Sequence, residues 1–193
     1  MPIIHKIEKK NVTILVWEIT ETLEELQVLG EEINATIHTS EKRKQEYLAS
    51  RLLLNEIIPN TAINYNEFGV PELENDNHIS ISHSRGLVSI IISEQQVGID
   101  IEEVSEKTLR LAPKFVSAKN LTRLTKEKAT LIWCLKEAIF KWHQKGGVDF
   151  IKDIIIPEFS AKEKGEITIQ FKNKELNLNY LKINNHYLVY VCK

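Results

Sequence analysis

An alternating run at residues 97–102 constrains the fold of this chain more than any other segment. Apolar residues at positions 97, 99 and 101 alternate with Gly98, Asp100 and Glu102. A period of two is typical of a half-buried β-strand, so Asp100 and Glu102 should leave the same face. The run therefore predicts a strand that carries two carboxylates on one side.

Gly98 lies on that carboxylate face. A glycine weakens a strand and often marks the close approach of a ligand or of another backbone. Both a nearby ligand and a nearby backbone fit the sequence at this position. The simpler alternative for Asp100 and Glu102 is a sheet face that is wetted by solvent.

A helix is predicted at residues 126–144, and its Glu137 lies 35 residues beyond Glu102. Its core-facing stripe comprises Leu131, Ile132, Leu135, Ile139 and Trp142. Glu137 and Lys141 fall on the other side, four residues apart, with Trp133 and Phe140 beside them. These aromatic neighbours favour a cleft, whereas an exposed pair that only supports its own helix is the alternative.

Two carboxylates on a strand and one on a helix can hold a hard divalent cation. Magnesium binds a few carboxylates and takes its remaining ligands from water and substrate phosphate. Asp100, Glu102 and Glu137 are therefore the candidate metal ligands of this chain.

These motifs resemble those of a known family. Gly-Ile-Asp-Ile-Glu at residues 98–102, followed by Trp-x-x-Lys-Glu-Ala-x-x-Lys at residues 133–141, resembles the 4′-phosphopantetheinyl transferase superfamily. The chain length and Ser-Ile-Ser-His-Ser at residues 80–84 are similar to its surfactin-synthetase type. The resemblance implies transfer of phosphopantetheine from coenzyme A to a serine of an acyl- or peptidyl-carrier protein, with release of adenosine 3′,5′-bisphosphate.

The order of elements predicts an α+β fold. Strands are predicted at residues 12–19, 79–83, 87–93, 97–102, 154–156, 167–171, 176–183 and 187–192, and the other helices at 23–32, 40–58 and 107–115. The resemblance implies two similar lobes with the active site between them. We place the coenzyme A-binding lobe at residues 1–96 and the metal-binding, catalytic lobe at residues 97–193.

The resemblance also implies which residues bind the phosphates of coenzyme A. Lys42 and Arg51 match the cations of the family's phosphate-binding helix best, although a snorkelling side chain is the alternative for Arg51. Ser82 and His83 fall in the Ser-His-Ser motif, which contacts phosphate in the family.

Two departures from the family pattern affect the same phosphates. Val70 stands where a lysine is common in the family. We therefore expect coenzyme A to bind more weakly or through other residues. Arg85 precedes Gly86 after the Ser-His-Ser motif. This arginine either compensates for the missing lysine or is an ordinary exposed turn residue.

The resemblance assigns roles in the transfer. Magnesium, or manganese in its place, would be held by Asp100, Glu102 and Glu137 and stabilise charge on the pyrophosphate. Lys141 would neutralise the departing adenosine bisphosphate. The sequence leaves open whether Glu137 takes the serine proton directly or through a metal-bound water.

Composition excludes several other classes of protein. The formal charge of −2, from 25 basic and 27 acidic residues, argues against a general nucleic-acid binder. No window approaches a membrane span, no signal peptide is visible at the N-terminus, and two cysteines suggest reduced thiols. We expect a cytoplasmic monomer that binds neither nucleic acid nor membrane.

A basic stretch is the candidate surface for an acidic carrier protein. It contains Lys107, Arg110, Lys114, Lys119, Arg123, Lys126 and Lys128. A solvated helix and loop is the alternative, and the pathway of the carrier stays open between fatty acid, polyketide and nonribosomal peptide synthesis. Two other functions are a metal-dependent phosphohydrolase and a non-catalytic paralogue that binds coenzyme A or carriers.

Overall fold

The computed structural model describes residues 3–33 and 40–193. Helices and antiparallel strands are mixed along the chain, which confirms the predicted α+β class. The chain divides into two compact units, Met1–Gln95 and Gln96–Lys193. No helix in the described ranges combines the length and the apolar content that crossing a bilayer requires.

The first unit contains a six-stranded antiparallel sheet with the order β1-β2-β6-β5-β4-β3. Its strands are β1 (Ile3–Lys9), β2 (Val12–Glu18), β3 (Asn64–Tyr65), β4 (Pro71–Glu72), β5 (His78–Ser84) and β6 (Leu87–Ser93). The sequence did not predict β1, β3 or β4. They are one edge strand and two short strands at the other edge, where weak hydrophobic alternation is tolerated.

Within its described residues, the first unit has two helices, α1 (Leu23–Leu29) and α2 (Glu41–Ile57). Ser40 caps α2, because its hydroxyl accepts a hydrogen bond from the backbone N–H of Arg43 at 3.3 Å. Leu48 and Leu53 of α2 are fully buried in the core with side chains from β2, β5 and β6. This packing holds the polar residues of α2 in fixed positions.

The second unit contains a five-stranded antiparallel sheet with the order β7-β11-β10-β9-β8. Its strands are β7 (Val97–Glu103), β8 (Ile154–Ile155), β9 (Lys164–Phe171), β10 (Lys174–Ile183) and β11 (His186–Cys192). Its helices are α3 (Glu106–Leu111) and α4 (Lys126–His143), with 3-10 turns at Ala112–Lys114 and Ala118–Asn120 between them.

Helix α4 packs directly on β7 at Gly98. A Cβ atom at this position would lie 2.1 Å from the carbonyl oxygen of Ala138 and 2.6 Å from the backbone nitrogen of Trp142. The close approach indicated by the glycine is therefore that of another backbone. Since Asp100 and Glu102 share the face of Gly98, the same packing turns both carboxylates towards α4.

Candidate active site

Asp100 and Lys141 form a partly buried ion pair between β7 and α4. The Nζ of Lys141 donates a hydrogen bond to Oδ1 of Asp100 at 2.8 Å, and the two side chains are 27% and 5% exposed. A buried carboxylate is costly unless it is paired and hydrogen-bonded. Lys141 therefore both neutralises Asp100 and fixes the direction of its carboxylate.

Glu102 is held from α4 by Trp133. The indole Nε1 of Trp133 donates to Oε1 of Glu102 at 3.3 Å. The indole ring packs against Phe115 and Phe150, with centroids 5.0 and 5.7 Å away. The aromatic residue that the sequence placed beside Glu137 thus anchors the second strand carboxylate.

The charges of both strand carboxylates affect the pKa of Glu137. Burial raises its pKa from 4.5 to about 7, and the negative charge of Asp100 adds to the rise. Lys141 opposes this effect and Glu102 contributes a further, smaller increase. The structure therefore brings Asp100, Glu102, Glu137 and Lys141 into one electrostatic environment, which we call the carboxylate site.

A buried thiol lies beneath this site. Cys134 of α4 donates from Sγ to the carbonyl oxygen of Tyr187 at 3.2 Å. Burial, and next the charge of Asp100, raise the pKa of Cys134. The thiol therefore stays protonated, and the negative charge of the site belongs to the carboxylates.

The carboxylate site fits a hard divalent cation by its chemistry. In the part of the chain that the structure describes, no three His, Cys, Asp or Glu side chains already form a group that could hold a metal ion. The donor set nevertheless consists of carboxylates, which magnesium prefers. Burial first, and then the negative charge of Asp100, raise the pKa of Glu137, and a bound cation would offset the contribution of the negative charge.

In the first unit, two residues that were predicted to bind phosphate lie beside a buried acid that the sequence analysis did not single out. His83 Nδ1 lies 3.3 Å from Oε2 of Glu46, and Lys42 Nζ lies 3.6 Å from Oε1. Glu46 is 6% exposed, whereas the side chains of His83 and Lys42 are 53% and 65% exposed. We call these three residues the Glu46 cluster.

Arg51 belongs to a different cluster. Its guanidinium carbon lies 3.6 Å from the ring centroid of Tyr47, and its Nη2 donates to the hydroxyl of Tyr65 at 3.0 Å. At 3.6 residues per turn, nine residues separate Lys42 from Arg51 by about half a rotation of α2. The structure therefore does not place these two cations on one side of the helix.

Ser82 and Arg85 occupy contrasting positions around the β5–β6 turn. Ser82 is 5% exposed, and its carbonyl accepts a hydrogen bond from the hydroxyl of Ser89 at 3.3 Å. Arg85 is exposed in a two-residue turn, with φ of 47°, and Gly86 follows with φ of 86°. His83 lies between them in sequence and projects from the face opposite Ser82.

Sequence reasoning missed the buried charge of Glu46, because it resembles an ordinary helix-surface charge. For Lys136, the lysine of the second motif, the sequence indicated a structural or peripheral phosphate role. Lys136 is 4% exposed and donates to the carbonyl oxygens of Phe150 and of Ile154, the latter at 2.7 Å. Burial lowers its pKa to about 8. Lys136 therefore fastens the segment after α4 to the helix.

The predicted basic stretch borders a cavity of about 600 Å³ in the second unit. Phe115, Ile132 and Phe159 contribute apolar walls, and Lys128 lies at the cavity with its Nζ 5.2 Å from the ring centroid of Phe159. The exposed cations of the stretch are Lys107, Arg110, Lys114, Arg123 and Lys126. The side chain of Lys119 lies outside the described residues.

Comparison with known proteins identifies relatives of this chain. The family described as the 4′-phosphopantetheinyl transferase superfamily matches residues 96–192. A curated protein, 4′-phosphopantetheinyl transferase gsp of Aneurinibacillus migulanus, is 33% identical over 111 residues, which are 52% of this chain and 47% of that protein. The matched region therefore spans about half the length of the curated relative.

Proposed function

Because the chain belongs to the 4′-phosphopantetheinyl transferase superfamily, as its motifs predicted, we propose that it transfers phosphopantetheine from coenzyme A to a serine of an acyl- or peptidyl-carrier protein. The observation that carries this proposal is the carboxylate site, in which three acids and a lysine from β7 and α4 share one environment. We further propose that the protein acts in the cytoplasm as a monomer.

The transfer requires a nucleophile, a proton acceptor and a neutralised leaving group. The serine oxygen forms a bond to the β-phosphorus of coenzyme A, and the bond from that phosphorus to the bridging oxygen breaks. Glu137, the carboxylate that α4 contributes to this site, accepts the serine proton directly or through a water. Lys141 neutralises charge on the departing adenosine 3′,5′-bisphosphate.

Asp100, Glu102 and Glu137 would hold magnesium. The bound ion would supply positive charge to the pyrophosphate, where negative charge accumulates during transfer. Trp133 and Lys141 keep the strand carboxylates directed towards α4. This prior arrangement lowers the reorganisation that the reaction demands.

We assign the donor phosphates to residues of the first unit. Lys42 and His83 provide positive charge or hydrogen-bond donors at the Glu46 cluster, and Arg51 provides a guanidinium held on an aromatic ring. Ser82 and Arg85 complete the set that we propose to bind coenzyme A. Arginine and lysine suit phosphate because their hydrogen bonds to it are charge-assisted.

We assign the carrier to the basic stretch and its neighbouring cavity. The exposed cations would attract an acidic carrier, and the apolar walls around Phe115 and Phe159 would receive a side chain from it. Such a division is common at interfaces, where charges steer association and buried apolar contacts hold it.

Intact-mass analysis of purified apo carrier proteins tests the function. Each carrier is incubated with this protein, coenzyme A and magnesium, with EDTA in a parallel reaction. A gain of one phosphopantetheine that EDTA abolishes is the expected result. No gain on fatty acid, polyketide or peptide carriers, despite binding of coenzyme A, would favour a non-catalytic paralogue. Hydrolysis of phosphate esters without coenzyme A would favour a phosphohydrolase.

A further inference from the structure

Glu46 raises a question that the transfer reaction does not answer. It places a buried carboxylate against two of the cations that we assign to the donor phosphates, Lys42 and His83. A carboxylate in such a place repels the anion that the cations attract. It therefore requires a role that outweighs the repulsion.

The geometry around His83 indicates that role. Nδ1 of the imidazole faces Oε2 of Glu46 at 3.3 Å, which turns Nε2 away from the carboxylate. The hydrogen bond at one ring nitrogen determines which nitrogen carries the proton and how the ring is oriented. We propose that Glu46 is a positioning residue that accepts from Nδ1–H of His83 and favours a ring protonated on both nitrogens, so that Nε2–H is directed to donate to a phosphate of coenzyme A.

Burial suits Glu46 to act through His83. The acid is 6% exposed, while the imidazole is 53% exposed, so the ring offers a phosphate far more contact than the acid does. Leu48 and Leu53, both fully buried, anchor the same helix in the core. Glu46 therefore provides a buried, fixed acceptor for the imidazole ring.

Lys42 offers a rival explanation. Its Nζ lies 3.6 Å from Oε1 of Glu46, and this buried oxygen accepts no hydrogen bond within the described residues. The lysine contact is thus longer than the histidine contact, and it involves a more exposed side chain. Exposed ion pairs contribute little energy, so we infer that Glu46 acts through His83 rather than through Lys42.

Three variants separate the two explanations. Glu46→Leu removes the acceptor, Glu46→Gln retains an oxygen that can accept from Nδ1, and Glu56→Gln alters an exposed acid of the same helix. We expect Glu46→Leu to raise the Kd for coenzyme A roughly tenfold and to leave kcat at saturating donor within about twofold. Glu46→Gln should retain most of the affinity, and Glu56→Gln should match the parent protein.

A double-mutant cycle identifies the partner of Glu46. In a His83→Ala background, Glu46→Leu should produce no further loss of coenzyme A binding. A full loss in that background, together with none in a Lys42→Met background, would transfer the role to Lys42 and overturn the proposal. Tighter binding by Glu46→Leu would show that the carboxylate only repels the donor, and would overturn it as well.

Nitrogen-15 NMR of the His83 ring tests the proton directly. With coenzyme A bound, the parent protein should show protons on both ring nitrogens, whereas Glu46→Leu should retain only the proton on Nε2. An identical ring signature in both proteins contradicts the proposal. The inference rests on the proposed donor site, but this measurement needs neither carrier nor turnover. If the protein modifies no carrier, the proposed function is refuted. The ring signature still decides the role of Glu46 in that case.

Discussion

Each unit buries a carboxylate, but the two units differ in how far the partner of that carboxylate is exposed. In the second unit, Asp100 is buried and Lys141 reaches it from α4, whereas in the first unit Glu46 is buried and its cations lie at the surface. Groups that must hold one geometry benefit from packing, while surface cations can attract a flexible polyanion from many directions. We therefore expect changes at the carboxylate site to lower turnover, and changes at the Glu46 cluster to weaken donor binding.

The largest expected effect is at Asp100. Asp100→Asn should lower turnover roughly 1000-fold at saturating coenzyme A, because it removes charge from the proposed metal set and from the pair with Lys141. The rate is measured by intact mass, and thermal unfolding verifies the fold. Glu166→Gln, an exposed acid on β9, is the control and should have no effect. Near-normal turnover of Asp100→Asn at limiting magnesium would contradict the metal assignment.

Two glycines test whether the carboxylate site depends on helix packing. Gly98→Ala should destabilise the protein by about 3 kcal/mol, because the new methyl group overlaps the backbone of α4. Gly146→Ala is the matched control, since a Cβ there meets nothing within 4 Å. Urea unfolding measures both variants. Equal stabilities would mean that α4 does not approach β7 as described.

The raised pKa of Glu137 predicts a pH dependence of stability. Between pH 4.5 and about 7 the folded chain keeps a proton that the unfolded chain has released. The contribution of this proton to the free energy of unfolding is complete below pH 4.5 and is lost as the pH rises through about 7. Without magnesium, we expect Glu137→Gln to remove a decline of about 2 kcal/mol between pH 5 and pH 8, measured by urea unfolding in EDTA. An unchanged decline in the variant would assign it to other groups.

Trp133 tests how much the fixed direction of Glu102 matters. Trp133→Phe keeps an aromatic ring but removes the Nε1 donor, so turnover should fall roughly tenfold. Trp142→Phe is the control on the same helix, because its indole donates to the carbonyl of Lys193 instead. Equal turnover in both variants would show that the contact with Glu102 is dispensable.

The smallest expected effect lies on the basic stretch. Reversal of charge at Lys114 and Arg123 should raise the KM for the carrier roughly fivefold at low salt, and less at high salt. Reversal at Lys162 and Lys164, exposed residues of the same unit, should leave that KM unchanged. Steady-state kinetics with one modified carrier measures both, and equal KM values would remove the docking assignment.

Local patterns were sufficient to predict the α+β class and the two elements of the carboxylate site. Alternation indicated β7, and helical spacing indicated α4, because both periodicities follow from backbone geometry within one segment. The order of motifs also predicted the family. Weak alternation concealed β1, since an edge strand buries little of its surface and carries charges such as Lys6 and Lys9.

The sequence by itself determined which residue types occur on which element, and hence the candidate acids and cations. Only the tertiary structure decided which of them meet. Asp100 and Lys141 are 41 residues apart, and Trp133 and Glu102 are 31 apart. Such contacts depend on how whole elements pack, which no local period encodes. The same reason explains Glu46, which resembles a surface charge in sequence until the packing of α2 buries it beside His83.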